Sequence, residues 1–133
     1  MGTWGEGPFD DDNAADWVWE LQEAADWRVI ESALRGAADV PSSDYLEAPD
    51  GQIAWAAAAV VAAADDPSAV PLPDEASQWL AAHRDSRPTE LRPLAVRALQ
   101  RVMGSESELA ELWQEAGDDG WRANIQRLSA LVA

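Results

Sequence analysis

The sequence predicts an all-α protein, a compact bundle of five to seven short helices with a Gly- and Trp-rich extended arm at its N-terminus. Alanine and leucine dominate the apolar residues, whereas isoleucine and valine are few, and this balance favours helix over strand. Apolar residues also recur at three- and four-residue spacing through most of the chain, and no segment shows the alternation typical of a strand. At 133 residues, we expect a single domain over 1–133.

The first ten residues are expected to form the arm. This stretch contains three glycines, a proline and two aromatic residues, and it has no helical periodicity. Glycine permits backbone angles and close approaches that other residues resist. We therefore expect residues 1–10 to be bent and extended, with Trp4 and Phe9 packing on the helical body.

The acidic run Asp10–Asp12 predicts the start of a first helix near Asp12, because a carboxylate can cap the first turn and complement the helix dipole. Asp26 is placed to cap a second helix, which ends at Val40 and Pro41. The same pattern also fits one bent helix over the whole region.

The alanine-rich segment after Pro49 predicts a third helix. Pro49 suits the first position of a helix, and Asp65-Asp66-Pro67 ends it. Apolar residues along the segment predict a narrow, smooth face for close helix packing: Ile53, Ala56, Ala57, Val60, Ala63 and Ala64. The preceding residues 44–48 fit either extended chain or a helical turn.

Prolines and glycines divide the remaining chain into short helices. One is predicted over Pro73–Arg84, and the next has Thr89 as its cap and ends at Gly104. Its leucines and alanines give the clearest amphipathic pattern in the chain.

Two more helices complete the prediction. Ser105 and Glu108 match a capping box at the start of the first, and Gly117 ends it. The last helix is expected from about Asp119 to Val132, with its apolar side chains turned to one side.

The net charge of −16 is unevenly distributed. Residues 1–83 hold 17 acidic and 2 basic side chains, whereas residues 84–133 hold 8 and 7. The acidic half argues against nucleic acid and anionic membranes, since both require a basic surface. It fits either a solubilising surface or the docking of a basic protein partner. Arg97 and Arg101 are expected to pair with carboxylates of the acidic half; the alternative is anion binding.

The sequence favours a cytoplasmic protein. Its N-terminal residues lack the basic region and apolar run of a signal peptide. The longest apolar run, Ile53–Ala64, is shorter than the roughly 20 residues that a membrane span requires.

Composition excludes several kinds of catalytic site. Without cysteine or lysine, the chain has no thiol nucleophile, no Schiff-base amine and no P-loop lysine. Its single histidine, His83, cannot supply a two-histidine metal motif, and its place near a helix end predicts a contact with the negative end of the helix dipole. We therefore predict no catalytic residue, no metal site and no cofactor.

The carboxylates before and within the first helix leave two interpretations. Asp10–Asp12 and Asp16 could ligate a hard cation such as Ca²⁺ or Mg²⁺. The EF-hand pattern fails, however, because Leu21 stands where that loop requires glutamate. Helix capping by solvated charges is the favoured interpretation.

Eight tryptophans are many for a chain of this length. We expect most of them in the core, where each buries about 150–250 Å². The alternative is a ligand groove, formed where the arm folds back over the first helix. The candidate binding residues for such a groove are Trp4, Phe9, Asp12, Asp16 and Trp17.

The N-terminal motif resembles that of a bacterial family called domain of unknown function 4259. Its members open with a similar W-G-x-G-x-F arm followed by D-x-A-x-D, and the similarity continues through Tyr45–Ala48 and the alanine-rich stretch. The residues that carry the resemblance are Met1-Gly2-Thr3-Trp4-Gly5-Glu6-Gly7-Pro8-Phe9-Asp10, then Asp12, Ala14 and Asp16. The resemblance implies a stand-alone domain of similar length, and it implies no activity.

Three functions therefore stay open. The favoured one is a non-catalytic protein-interaction module, immunity- or antitoxin-like, whose acidic surface covers a basic partner. The second is a structural or regulatory homo-oligomer that packs through the alanine face Ala56–Ala64. The third is a metal-dependent hydrolase that uses the carboxylates of Asp10–Asp16 with Glu47.

Overall fold

The computed structural model describes residues 7–117 and 120–133, which form seven α-helices and one short 3-10 helix. The all-α prediction is confirmed. The helices are α1 Asp12–Gln22, α2 Arg28–Ala38, α3 Ala48–Asp65, α4 Asp74–His83, α5 Leu91–Met103, α6 Glu108–Ala116 and α7 Gly120–Val132, and the 3-10 helix Arg84–Ser86 follows α4. Across these described residues, no helix combines the length and the apolar content that a membrane span requires.

The central element is α3, which packs against the six other α-helices. The prediction of a single narrow face on this helix is wrong, because its residues are buried on all sides from Ala54 to Ala64. Alanine side chains are short enough for neighbouring helices to approach from every direction. The alanines of Ala56–Ala64 are thus covered within one chain and leave no face for a second copy.

The two N-terminal helices are separate. The Asp11 carboxylate caps α1 by accepting a hydrogen bond from the Asn13 backbone N–H at 2.7 Å. The chain then turns, and Asp26 accepts from the backbone N–H of Arg28 at 3.0 Å, where α2 begins. Of the alternatives that the sequence left open, two separate helices are therefore the one observed, and the predicted cap Asp26 lies one residue before the N-cap of α2, Trp27.

A turn precedes α1. The backbone N–H of Asp10 donates to the carbonyl of Gly7 at 3.2 Å, and the Gln52 side chain on α3 donates to the Pro8 carbonyl at 2.8 Å. These two bonds hold residues 7–10 against the helical body. The rest of the predicted arm, including Trp4, lies outside the described residues.

The start of α6 differs from the predicted capping box. Ser107, rather than Ser105, is the N-cap, and its hydroxyl accepts from the Ala110 N–H at 3.5 Å. The cause is a short parallel bridge to the segment before α3: the Leu46 N–H donates to Glu106 O at 2.8 Å, and the Glu108 N–H donates to Leu46 O at 2.9 Å. This pairing holds Ser107 in an extended conformation, after Glu106 with φ +55°, and so moves the start of the helix two residues along the chain.

The bridge also changes the helix that the Glu108 side chain caps. It accepts from the backbone N–H of Ala48 at 2.8 Å and so caps the start of α3 instead of its own helix. At α5, the residue that precedes the helix is Glu90, without a side-chain cap, and the predicted cap Thr89 lies one residue earlier. The predicted stops at Gly104 and Gly117 are confirmed, and Gly117 is left-handed with φ +70°.

Most of the described tryptophans belong to the core. The buried ones are Trp17, Trp27, Trp55, Trp79 and Trp121. Trp55 and Trp121 meet edge to face at 6.3 Å between ring centroids, and Trp113 stacks on Trp121 at 6.5 Å. Trp19 differs from all of these, because 69% of its surface is exposed.

Arginine side chains hold helix ends to neighbouring helices. The last carbonyls of a helix have no partner within it, and a guanidinium can satisfy them. Arg84 donates to Ala64 O, one of the last four carbonyls of α3, at 2.6 Å, and Arg87 donates to Val61 O, just before those four, at 3.0 Å. Arg92 makes the same kind of contact with Val132 O at the end of α7.

Arg97 and Arg101 were both predicted to pair with carboxylates. Arg97 does so, with Asp39 at 3.2 Å. Arg101 instead donates to five backbone carbonyls at 2.7–3.2 Å, because it lies between the loops that follow α2 and α5. These acceptors are the carbonyls of Val40, Pro41, Asp44, Ser105 and Glu106.

Candidate functional site

The predicted binding residues do not form one groove. Trp4 lies outside the described residues. Phe9 lines a cleft on the side of α7, whereas Trp17 lies beneath a separate groove between α1 and α2. Asp12 and Asp16 are exposed on the outer side of α1. The four described residues therefore belong to three different places on the molecule.

The outer side of α1 carries the most distinctive surface of the described chain. Its core-facing residues are Ala14, Trp17, Val18 and Leu21. At 100° per residue, the opposite side presents four carboxylates and one indole, which we name the acidic face. Its members are Asp12, Asp16, Trp19, Glu20 and Glu23, all of them exposed.

Asp12 lies in the first turn, where the helix dipole favours an anion, but the spacing of the other charges on the acidic face opposes helix formation. Asp12 and Asp16, and then Asp16 and Glu20, stand four residues apart, a spacing that places like charges side by side. Glu23 follows the last turn, where the negative end of the helix dipole disfavours an anion. None of these four carboxylates forms an ion pair with another described residue.

The neighbouring helix α2 shows the opposite arrangement. Its Arg35 lies between Glu31, at 3.0 Å, and Asp39, at 3.5 Å, each four residues away. This ladder neutralises the carboxylates of α2 along the helix and raises the pKa of Arg35 above its ordinary value, chiefly through the hydrogen bond to Glu31. The carboxylates of α1 therefore lack ion-pair partners because of their local arrangement, and not only because the chain is rich in acidic residues.

A groove of about 350 Å³ adjoins the acidic face, between α1, α2 and α3. Its apolar lining comes from Trp17, Val29, Ala33 and Ile53. Glu20 lines the groove and belongs to the acidic face as well, so the two surfaces are continuous. The other lining residues are Arg28, Ser32, Gly36 and Asp50.

The second cleft, of about 530 Å³, is lined mainly by apolar side chains from the N-terminal turn, the loop after α3, and α7. Phe9, Trp55 and Leu128 are among them. Its polar groups bind one another: Arg127 donates to the Asn124 side chain, and the Asp10 carboxylate accepts from the Gly7 N–H at 3.1 Å. This cleft therefore has few polar groups left to orient a ligand.

The Asp10–Asp16 region does not converge on a common point. Asp10 bonds to the N-terminal turn, Asp11 caps α1, and Asp12 and Asp16 point into solvent. Within residues 7–117 and 120–133, no three side chains of aspartate, glutamate or histidine are grouped as metal ligands would be.

His83 has a structural environment. Its ring stacks on Trp79 at 4.2 Å between centroids, and Nδ1 lies 2.8 Å from the Trp79 carbonyl. Because a carbonyl only accepts, Nδ1 carries the proton in this contact. His83 therefore satisfies a carbonyl of the last turn of α4, in agreement with the predicted contact at a helix end.

Shifted pKa values accompany specific hydrogen bonds. The Tyr45 hydroxyl donates to Glu111 at 2.7 Å, and this bond raises the pKa of Tyr45 to about 12. The hydrogen bond from Arg87 lowers the pKa of Asp65, and that from Arg28 lowers the pKa of Asp26. The groups with shifted pKa values lie at contacts between elements or at a helix start. Their charges therefore serve the fold.

Sequence reasoning selected Asp12 and Asp16 but missed Trp19, Glu20 and Glu23. The signal was present, because Trp19 falls outside the apolar stripe formed by the core positions of the first helix. A tryptophan that the helical period places away from the core is the observation that could have identified this face.

No curated protein and no solved structure matches the chain. The model of one family, described as Domain of unknown function (DUF4259), matches residues 2–124. This range covers most of the 133 residues and includes the motif on which the resemblance was based. The chain therefore belongs to the DUF4259 family.

Proposed function

We propose that this chain is a non-catalytic protein-interaction module that binds a basic polypeptide through the acidic face of α1. The single observation that carries the proposal is the exposure of Trp19, 69%, among four carboxylates that have no ion-pair partner in the described chain. A small acidic protein that covers a basic partner, in the manner of an immunity protein or antitoxin, is the role that this surface fits.

The exposed indole supports a protein partner. Tryptophan is enriched at the centres of interfaces, because one side chain buries a large area and has few rotamers to immobilise. An arginine or lysine on the partner can lie over its ring as a cation–π contact. Asp16 and Glu23, three residues before and four after Trp19, lie beside it on the helix and can bind further cations.

The charge distribution supports the same partner. The first 83 residues contain only two basic side chains, Arg28 and Arg35, and both are already paired with carboxylates. The surface field in this half is therefore negative and favours encounter with a basic partner, while it disfavours nucleic acid. Binding relieves the repulsion between the carboxylates of α1, so their unfavourable spacing is compatible with a surface selected for binding.

The test is a titration of the ¹⁵N-labelled protein with an arginine-rich synthetic peptide, followed through the indole N–H resonances. We expect the Trp19 resonance to shift, with an affinity that decreases steeply as salt is added. Trp19→Ala, and separately Asp16→Asn with Glu20→Gln, should each weaken binding about tenfold, which corresponds to about 1.4 kcal/mol.

Two control variants separate this face from general acidity. Asp74→Asn with Glu75→Gln removes the same charge from the exposed first turn of α4, and Leu112→Ala removes an exposed apolar side chain from α6. Both should keep at least half of the wild-type affinity, apart from a small general effect of charge. Equal losses in the α1 and α4 charge variants, or an unshifted Trp19 resonance, would contradict the proposal.

A further inference from the structure

The groove beside the acidic face lacks a bulky group at one position of its lining. Val29, Ser32, Ala33 and Gly36 form one face of α2, at spacings of three, four and seven residues. Gly36 lies in the last turns of this helix, and an added Cβ there would meet nothing within 4 Å. Glycine in a helix is less favourable than alanine by about 0.5–1 kcal/mol, so packing within the chain does not account for it.

The rim of the groove is acidic. Glu20 on α1 and Asp50 in the first turn of α3 are exposed at its edge, and neither forms an ion pair with another described residue. The single cation in the lining, Arg28, is bound to Asp26 at 2.8 Å. A group that enters the groove thus meets apolar surface below and uncompensated carboxylates beside it.

We infer that this groove receives one bulky apolar side chain of the basic partner, while arginine or lysine residues that flank it contact Glu20 and Asp50. This inference rests on the proposed function, and it specifies the partner as a polypeptide segment in which a leucine-sized residue is bordered by basic ones. Charge complementarity at the rim selects a basic segment, and the apolar lining selects the central side chain. A volume of about 350 Å³ is sufficient for such a side chain.

Gly36 then has a specificity-determining role. A side chain longer than that of alanine would enter the open space beside Gly36, where an added Cβ meets nothing within 4 Å, and would compete there with the partner side chain. The absence of a side chain keeps the groove open at the expense of helix stability. Trp17, buried below, gives the groove a rigid aromatic wall.

The experiment uses two arginine-rich peptides that differ only in one central residue, leucine in the first and alanine in the second. Wild-type protein should bind the leucine peptide about tenfold more tightly, corresponding to about 1.4 kcal/mol. The Trp17 indole and Gly36 amide resonances should shift with the leucine peptide only, whereas the Trp19 indole should shift with both.

Two substitutions at one position test the groove directly. Gly36→Met fills the groove with a flexible apolar side chain, and the leucine peptide should then bind no more tightly than the alanine peptide. Gly36→Ala is the matched control and should keep most of that advantage. Both variants add helix propensity, and the Cβ that each adds meets nothing within 4 Å, so thermal unfolding should show them at least as stable as wild type.

The outcomes separate this inference from the function on which it rests. If wild type binds the two peptides equally and Trp19→Ala weakens both, the inference about the groove is wrong, but the acidic face is still the binding surface. The inference about the groove is also wrong if Gly36→Met still binds the leucine peptide more tightly than the alanine peptide. If neither peptide binds at low salt, the proposed function is wrong, and the inference about the groove, which rests on it, is wrong as well.

Discussion

Trp27 and Trp79 pack edge to face, with 5.1 Å between their ring centroids, and each indole binds the segment that carries the other ring. The Trp27 N–H donates to the carbonyl of His83 at the end of α4, at 2.9 Å. The Trp79 N–H donates to the carbonyl of Ala24, in the link between α1 and α2, at 3.0 Å. The pair therefore joins α4 to the start of α2 through both packing and hydrogen bonds.

The two indole N–H groups are expected to differ in importance. In Trp27→Phe the His83 carbonyl still accepts from the Ser86 hydroxyl, at 2.9 Å, whereas Trp79→Phe removes the side-chain donor to Ala24. An unpaired, partly buried carbonyl costs about 1–3 kcal/mol. We therefore predict a larger loss in the free energy of unfolding for Trp79→Phe, measured by urea denaturation. A larger loss in Trp27→Phe would mean that ring packing, rather than hydrogen bonding, dominates the contact.

Arg101 provides a test of how far the geometry of a guanidinium contributes to stability. Its planar guanidinium reaches carbonyls of two loops at once, and a lysine ammonium cannot reproduce this fork. Arg101→Lys should lower the free energy of unfolding by about 1.5–3 kcal/mol. Arg97→Lys, which alters one exposed pair with Asp39, should stay within about 0.5 kcal/mol of wild type. Similar losses in both variants would show that charge, not hydrogen-bond geometry, is what matters at Arg101.

Local signals in the sequence predicted the helices well. Pro49 near the start of α3, and Gly104 and Gly117 after α5 and α6, act through their own backbone chemistry, so no knowledge of distant residues was needed. The start of α6 could not be obtained in this way. It depends on the bridge between Leu46 and Ser107, which are far apart in sequence.

Side-chain partners were harder to predict than helices. The acceptors of Arg101 are backbone carbonyls, which every residue carries, and residue type therefore does not indicate them. The complete burial of α3 depends on which helices surround it, and periodicity within α3 carries no such information. For the acidic face, by contrast, the helical period alone places Trp19 outside the apolar stripe and beside the carboxylates.

Gly36 and Gly117 should respond oppositely to alanine. Gly36 is helical with open space around it, so Gly36→Ala should raise the free energy of unfolding by about 0.5–1 kcal/mol. Gly117 adopts φ +70°, a left-handed conformation that costs an L-residue about 1–2 kcal/mol, and Gly117→Ala should therefore destabilise the protein. Urea denaturation of both variants provides the comparison. A destabilised Gly36→Ala would show that the space beside α2 is occupied in solution.

Tyr45 provides a spectroscopic reporter of the contact between α6 and the segment before α3. It is the one tyrosine in the chain, so tyrosinate absorbance reports this residue alone. In wild type the absorbance should titrate with a midpoint near the pKa of about 12, because Glu111 accepts the phenolic hydrogen bond and its charge opposes ionisation. In Glu111→Gln the midpoint should fall toward the ordinary value of about 10.

The same shift has a consequence for stability. The pKa of Tyr45 is higher in the folded than in the unfolded chain, so the contact stabilises the protein fully below about pH 10, where both states are protonated. The contribution is lost as the pH rises through about 12.

Glu115→Gln, on the same helix but outside this hydrogen bond, is the matched control for the tyrosinate titration and should leave its midpoint unchanged. Identical midpoints in Glu111→Gln and wild type would show that the Tyr45 hydroxyl is not bound to Glu111 in solution.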